Sequence, residues 1–522
     1  MRAGYVPPVT RPAGRRSPAA RGHPLGPFMA ASRTAHGVLP GTGTSVSPVS
    51  TTTVEQPPAA APPPLPVRLR PPRTARWWPD AVTALTWATV VWVVGLWATG
   101  GGVGALAGSP ADVLGSVGRL SGLLASDLLL LQVLGMARIP WAERAFGQDR
   151  LARWHRWTGF TSFHLLLVHM ATLVVSYALA AGTGVLREAW DIVTTLPGML
   201  IAAAGTALLV AVVTSSLRAA RRRVRYESWH LLHLYAYLGV GLAVPHQLWT
   251  GTDFVGRPWA AVFWWTLWGA AVTAVLVFRV GVPLRTSLRH RLRVDHVVPE
   301  APGLVSVHVG GRRLEELRVD AGQFFVWRFL TGPGWTRGHP LSLSAVPTSA
   351  GLRLTVGTRG DDGERLARLR PGTRVLVEGP YGRLTPRART RPRLAGFAAG
   401  SGVAPVMALL HDSAWQAGTD TLVLRASSVE ETPLAADVAW LVRDRGLRYV
   451  PLTGPRSTTG TTWLPGDLGH VPGPDAVRWL VPDLDEHDVV VCGPAPWADA
   501  VVAAVRAAGV PDSAVHLERY DW

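Results

Sequence analysis

Six apolar runs between Trp78 and Val282 constrain this chain more than any other feature, because each has about the 20 residues needed to cross a bilayer core. They are Trp78 to Ala98, Leu120 to Ile139, Trp157 to Ala180, Leu196 to Leu217, Trp229 to Trp249 and Trp259 to Val282. Within lipid the backbone must satisfy its own hydrogen bonds, so each run is expected as a helix. An even number of spans leaves both termini on one side, and the basic connections choose that side. "RLRPPRTAR", "RIPWAERAFGQDRLARWHR", "RAARRRVR" and "RTSLRHRLR" all fall on it, whereas the opposite connections, such as "TGGGVGALAGSP", carry few basic residues. The termini are therefore expected in the cytoplasm, and the chain in the plasma membrane as a multi-pass protein in contact with lipid.

The formal charge of +17 reads in the same light, as arginine in a tail and in cytoplasmic loops, and no nucleic-acid partner is expected. A single cysteine, Cys492, excludes an internal disulfide, a four-cysteine zinc site and a cysteine-ligated iron–sulfur cluster. Any electron transfer then falls to organic cofactors or haem. Residues 1–76, rich in Pro, Ala, Ser, Thr and Arg, are expected to form a disordered cytoplasmic tail, with Met29 as an alternative start.

Histidines in the third and fifth runs are the chemically telling residues, since an ionisable group at membrane depth is costly and normally faces a partner or ligand. His155 and His169 are 14 residues apart, which at about 100° per residue returns them to within about 40° of one face, about 21 Å apart along the axis. His164 falls on the opposite face. His233 and His246 are 13 residues apart, about 220° on an ideal helix, and share a face only if the helix distorts; Pro245 supplies a means. The third and fifth runs are parallel, so His155 and His233 are expected at the cytoplasmic end, and His169 and His246 at the outer end. Two bis-imidazole haems stacked across the membrane suit that arrangement, with cross-helix hydrogen bonding as the alternative. His164 and His230 read as packing residues, and Arg153 and Arg156 as propionate partners or ordinary boundary charges.

Beyond the spans the pattern changes twice. Residues 284–390 show short alternating runs such as "GLVSVHVGG", "GQFFVWRF" and "TRVLVEGPYG", expected as an antiparallel β-barrel. Residues 391–522 alternate apolar strands with helical patterns, expected as a parallel α/β domain. There "GFAAGSGVAP" places Gly400, Ser401, Gly402 and Pro405 between a strand and a helix, where glycine lets backbone N–H groups and a helix N-terminus meet a pyrophosphate. The next strand ends in "LRASS". Arg425, Ser427 and Ser428, with Arg456, are candidates for a ribose 2′-phosphate, which favours NADPH over NADH.

With these segments in order the chain resembles the ferric reductase and NADPH oxidase superfamily from about Trp78 to Trp522. The resemblance implies a multidomain fold: a six-helix dihaem transmembrane bundle over residues 77–283, an antiparallel β-barrel FAD-binding domain over 284–390 and a parallel α/β NAD(P)-binding domain over 391–522. "RGHPLSLS" is similar to that family's flavin-binding segment, which implies that His339, Pro340 and Leu341 line the flavin and that Ser342 approaches its reactive nitrogen; Leu341 replaces the usual aromatic residue. In "GTRGDDGERL", Gly360 and Gly363 stand where the family faces the FAD pyrophosphate, and Gly363 replaces its usual Ser or Thr. "VVVCGPAPW" resembles the turn beneath the nicotinamide, carried here by Cys492, Gly493 and Pro494, with a structural cysteine as the rival reading. The terminal Trp522, with Tyr520 in reserve, is implied as the aromatic cover of the flavin.

The resemblance thus implies electrons passing from NADPH through FAD and two b-type haems, held by His155, His169, His233 and His246, to an extracytoplasmic small molecule. A ferric chelate is expected, with dioxygen reduction to superoxide as the alternative. From other classes, a haem-binding redox sensor or scaffold and a membrane-anchored flavin reductase stay open. Trp190, Asp191, Asp253 and Arg257 are the polar or aromatic residues expected near the outer surface.

Overall fold

A computed structural model describes residues 77–217, 226–412 and 418–519. Among them, five helices are long and apolar enough to cross a membrane: Trp78–Ala105, Pro110–Met136, Arg150–Ala181, Met199–Ser216 and Pro258–His290. The first comprises α1 (Trp78–Trp97) continued through a π-helical turn at Ala98–Gly102, and the second is α2 (Pro110–Met136). A short helix α3 (Pro140–Phe146) leads into the long α4 (Gln148–Ala181). An amphipathic helix α5 (Val185–Thr195) precedes α6 (Met199–Ser216).

Two expectations need correction. α2 starts at Pro110 rather than Leu120, because Ser109 and Asp112 form a capping box: Asp112 N donates to Ser109 Oγ at 3.3 Å and Ser109 N donates to Asp112 Oδ2 at 2.9 Å. The earlier start draws Arg119 into the helix. The fifth run is not one helix. It folds as α7 (Tyr226–Leu242) and α8 (Val244–Trp249), broken at Ala243 just ahead of Pro245, whose ring and missing N–H cannot continue the ladder. The last apolar helix runs from α9 (Pro258–Ala274) through a π-helical stretch, Val275–Gly281, into α10 (Val282–His290).

Small residues set how closely the helices pack. α6 and α7 cross where Gly205 and Gly239 meet, so close that a Cβ on Gly205 would stand 2.6 Å from the Gly239 carbonyl oxygen. On α2, Gly115, Gly118 and Gly122 face Ser176, Thr172 and His169 of α4.

Two three-stranded antiparallel sheets follow, with orders β1-β2-β5 and β4-β3-β6. The strands are β1 (Arg293–Ala301), β2 (Leu304–Gly310), β3 (Phe324–Phe329), β4 (His339–Ser342), β5 (Leu352–Gly357) and β6 (Val375–Tyr381), with helix α11 (Gly360–Ala367) between the last two. Isolated bridges Leu343↔Leu354 and Arg293↔Arg374 join the sheets at both edges. Val307, Phe325, Trp327, Leu343 and Leu354 fill the interior between them.

A five-stranded parallel sheet of order β11-β10-β7-β8-β9 completes the chain. Its strands are β7 (Arg393–Ala399), β8 (Thr421–Arg425), β9 (Arg448–Leu452), β10 (His487–Cys492) and β11 (Val515–Glu518). Helices α12 (Val403–His411) and α13 (Ala435–Arg445) cover one face, and α14 (Gly473–Leu480) and α15 (Ala495–Ala507) the other. The chain leaves β7 toward β8 and β9, then returns to place β10 on the other side of β7. That reversal opens a crevice at the carboxyl ends of β7 and β10.

Candidate functional site

The histidines of α4 and α7 come together at one end of the bundle. The rings of His155 and His233 face each other with 5.8 Å between centroids and 71° between planes. His155 Nδ1 is buried without a hydrogen-bond partner among the described residues. His233 packs on the Trp229 ring at 5.0 Å, and Trp229 Nε1 donates to Ser216 Oγ at 3.1 Å.

At the other end, His169 Nδ1 meets the Gly118 carbonyl oxygen at 2.8 Å, a contact that requires the proton on Nδ1 and leaves the Nε2 lone pair available. Gly122 makes room for the ring, since a Cβ there would lie 2.3 Å from His169 Nδ1. His246, on α8, stands within electrostatic reach of His169, and its backbone packs on Gly198. The break at Ala243 accounts for the 220° mismatch, because His233 and His246 occupy separate helical segments.

His164 joins neither pair. It is exposed and its Nδ1 is bonded to the Phe160 carbonyl of its own helix at 2.7 Å. The side chain of His230 lies outside the described residues. Arg153 and Arg156 are exposed on the first turns of α4. Two imidazole pairs, one with an orphaned ring nitrogen and one seated in a glycine cradle, fit a planar metal cofactor held from both faces.

In the second three-stranded sheet, β3 pairs with β4 on one side and β6 on the other, so Val326 stands between Pro340 and Glu378. Side chains alternate along β4. Leu341 packs against the barrel interior and does not share the face of Pro340 and Ser342, so the expected row of four lining residues divides by strand alternation. His339 is half-buried beside Phe329, and burial pushes its imidazole below the ordinary range. Arg337 bonds Asp362 on α11 at 2.5 Å, joining the strand to the Gly360–Gly363 turn. At Gly363 a Cβ would lie 2.4 Å from the Gly357 carbonyl oxygen, so that turn has room for backbone alone at this position.

Gly400, Ser401 and Gly402 follow β7 at the crevice, with Pro405 buried on α12 behind them. Gly402 abuts β10: a Cβ there would stand 2.4 Å from the Cys492 carbonyl oxygen. Cys492, Gly493 and Pro494 thus meet the glycine turn through backbone. The Cys492 side chain is wholly buried among Leu394, Ala398 and Val403, away from the crevice.

Arg425 departs from its expected role. Its guanidinium donates to the carbonyl oxygens of Ala426, Leu452 (3.1 Å) and Gly454 (2.6 Å), and only 8% of the residue is exposed. Inward hydrogen bonding occupies both terminal nitrogens, leaves only Nε without a partner among the described residues, and withdraws the guanidinium from a 2′-phosphate. Ser427 and Arg456 remain exposed at that edge. Tyr520 and Trp522 lie outside the described residues.

Three features were not anticipated. Asp253 is buried and paired with Arg119, while Arg257 donates to Leu96 and Thr99 carbonyls at 3.3 and 3.1 Å; on α5 Trp190 is exposed and Asp191 half-buried. Asp127 on α2 is wholly buried, with Thr89 Oγ1 donating to it at 3.3 Å. The third is a charged cluster at the meeting of helices and barrel. Glu378 takes Arg279 and Arg328, each at 3.2 Å, and Tyr381 Oη at 3.3 Å. Arg138 lies over the Tyr381 ring at 4.4 Å and bonds Glu143 at 3.0 Å. Arg119 and Asp127 carried a signal, as charges inside an apolar helix. The cluster carried none, since its members are far apart in sequence.

Residues 121–244, which hold His155, His169 and His233 and end two residues before His246, match the family model of the ferric reductase like transmembrane component. Within the helical region, residues 121–244 are thus similar to a ferric reductase-like transmembrane component. The chain is also similar to curated ferredoxin reductases. It is 31% identical over 237 residues to the ferredoxin reductase component of 3-ketosteroid-9-alpha-monooxygenase from Mycolicibacterium smegmatis, covering 44% of this chain and 64% of that one. It is 28% identical over 208 residues to the ferredoxin–NAD(+) reductase component of the alkene monooxygenase system of Xanthobacter autotrophicus, covering 38% and 61%. The chain thus spans less than two thirds of the length of these relatives. Among solved structures it is similar to the FAD/NAD-binding domain of a Vibrio cholerae nitric oxide dioxygenase (21% identity, 44% of this chain, 98% of that one, TM-score 0.36). The ferric reductase-like domain is therefore joined to a ferredoxin reductase-like module in one chain.

Proposed function

We propose that this chain is a six-span membrane oxidoreductase that passes electrons from cytoplasmic NADPH through FAD and two b-type haems to an extracytoplasmic ferric chelate. The observation that carries the reading is the facing pair His155 and His233 inside the ferric reductase-like segment, with His169 in it and His246 just beyond its end as a second pair. Both termini are assigned to the cytoplasm and the chain to the plasma membrane, on the placement of its arginines.

When bound, the flavin converts a two-electron hydride into single electrons and the haems carry them across a core about 30 Å thick. The chain's own residues do the rest. His155 and His233 hold the cytoplasmic haem, and His169 and His246 the outer one. The Gly118 carbonyl fixes the His169 tautomer with the proton on Nδ1, so the Nε2 lone pair would be the one to hold a metal. Pro340 and Ser342 present one face of β4 to the flavin, with His339 at its edge. The backbone of Gly360 and Gly363 holds the FAD pyrophosphate. Gly400, Ser401 and Gly402 receive the dinucleotide, Gly493 and Pro494 border the nicotinamide, and Arg456 with Ser427 selects the 2′-phosphate.

Sealed vesicles test the reading. With NADPH supplied on the cytoplasmic side and a ferric chelate with a ferrous indicator on the other, the account expects ferrous iron on the far side. Superoxide in place of ferrous iron would move the acceptor to dioxygen, and reduction confined to the NADPH side would contradict a transmembrane path.

A further inference from the structure

The cytoplasmic end of the last apolar helix carries a basic cavity that the redox chemistry does not use. That helix runs 33 residues, Pro258–His290, about 50 Å at 1.5 Å per residue, against a hydrocarbon core of about 30 Å. Its last segment, α10, therefore emerges into the headgroup layer.

α10 has two faces. On the inner face Ser287 Oγ accepts a hydrogen bond from Val377 N at 3.1 Å, and His290 Nδ1 is bonded to the Arg312 carbonyl oxygen at 3.0 Å, which fastens the helix to the barrel. On the outer face Leu284 and Leu288 are 52% and 64% exposed, one turn apart. Beside them opens a cavity of about 750 Å³ lined by Arg285, Arg289, Arg291, Arg312 and Arg313. Among the described residues only Arg289 of the five is ion-paired, to Glu316, with Arg313 further from the same carboxylate. The cavity is thus strongly positive, faces the membrane surface and is bordered by leucines that continue the apolar surface of the span.

We propose that this cavity binds the phosphate headgroup of an anionic phospholipid of the cytoplasmic leaflet. Arg285, Arg291, Arg312 and Arg313 meet the phosphate and glycerol oxygens, and Leu284 and Leu288 lie along the acyl chains. Clustered arginines immediately cytoplasmic of a span are attracted to anionic lipid, and guanidinium groups match phosphate oxygens. The paired leucines favour a lipid over free phosphate. The site rests on the last helix crossing the bilayer with its carboxyl end on the cytoplasmic side, as in the proposed topology, and stands apart from the electron path.

The test is native mass spectrometry of the full chain in detergent, titrated with phosphatidylglycerol or phosphatidylcholine. One phosphatidylglycerol should be retained with at least tenfold preference over phosphatidylcholine, and R285Q/R312Q/R313Q should weaken it by about a hundredfold. R285K/R312K/R313K should keep most of the preference, which separates loss of charge from loss of folding. Millimolar inorganic phosphate should not displace the lipid. Equal retention of both lipids, full retention by the glutamine variant, or displacement by inorganic phosphate would overturn the proposal.

Discussion

Glu378 joins the last apolar helix to the β4-β3-β6 sheet: its Oε1 lies 3.2 Å from Arg279 Nη1 and its Oε2 lies 3.2 Å from Arg328 Nη1. It stands across Val326 from Pro340, so one carboxylate fixes the distance between the proposed flavin strand and the membrane helices. Burial works against its charge, but the guanidiniums of Arg279, Arg138 and Arg328 outweigh it and hold the carboxyl below its ordinary value. The stabilisation is therefore present above the unfolded value near 4.5 and is lost as pH falls through the folded value.

Replacing Glu378 with Gln leaves Arg279 and Arg328 without their counter-charge at a partly buried site, at a cost of about 3 kcal/mol. NADPH-driven reduction of a soluble dye at the flavin should persist, while NADPH-driven haem reduction slows at least tenfold. Stopped-flow absorbance separates the two. Equal slowing of both would remove Glu378 from the coupling between domains.

Gly122→Ala should behave like His169→Ala. The added Cβ meets the His169 ring at 2.3 Å, against a helix that cannot retreat from Gly118 and its hydrogen bond. Haem extracted per chain should fall from two to one in both variants, while His164→Ala keeps two. Two haems in Gly122→Ala would show that the ring does not need its present position.

Gly402→Ala should weaken nucleotide binding through backbone displacement, because its Cβ would lie 2.4 Å from the Cys492 carbonyl oxygen. KM for NADPH should rise at least tenfold, with the flavin still bound. Arg456→Ala should raise KM for NADPH about tenfold, about 1.4 kcal/mol, and leave KM for NADH unchanged. An equal rise for both nucleotides would place Arg456 outside the 2′-phosphate site.

Asp420 gives the parallel sheet an inverse pH dependence. Burial pushes its carboxyl up to about 7, although Leu394 N donates to Oδ1 at 2.7 Å. A raised folded value means the native state holds a proton that the unfolded chain has released. Stability is therefore full below about 3.8 and declines as pH rises toward about 7. Asp420→Asn should flatten that decline and raise Tm at pH 8, read by thermal unfolding at a series of pH values.

The legible part of this molecule was whatever one segment carries alone. Apolar length marked five spans, and histidines at membrane depth marked the pairs, because neither signal depends on distant partners. The boundary of α2 was missed where Ser109 and Asp112 start the helix ahead of the apolar run. The fifth run divides at Ala243 beside Pro245, which the sequence marked as a means of distortion, while apolar composition alone gave one continuous span. Arg425 looked like a phosphate ligand in the strand-end pattern, yet the carbonyls that claim it, at Leu452 and Gly454, belong to another strand and its following loop. The Glu378 cluster was illegible for the same reason, since Arg279 is 99 residues away in sequence.

The most direct test of the account is a reduced-minus-oxidised optical spectrum of the detergent-purified chain, with haem quantified, after anaerobic addition of NADPH. The account predicts two haems per chain with low-spin bis-histidine bands, reduced at the expense of NADPH. Flavin reduction in a chain that purifies without haem would contradict it and leave the histidine pairs as packing between helices.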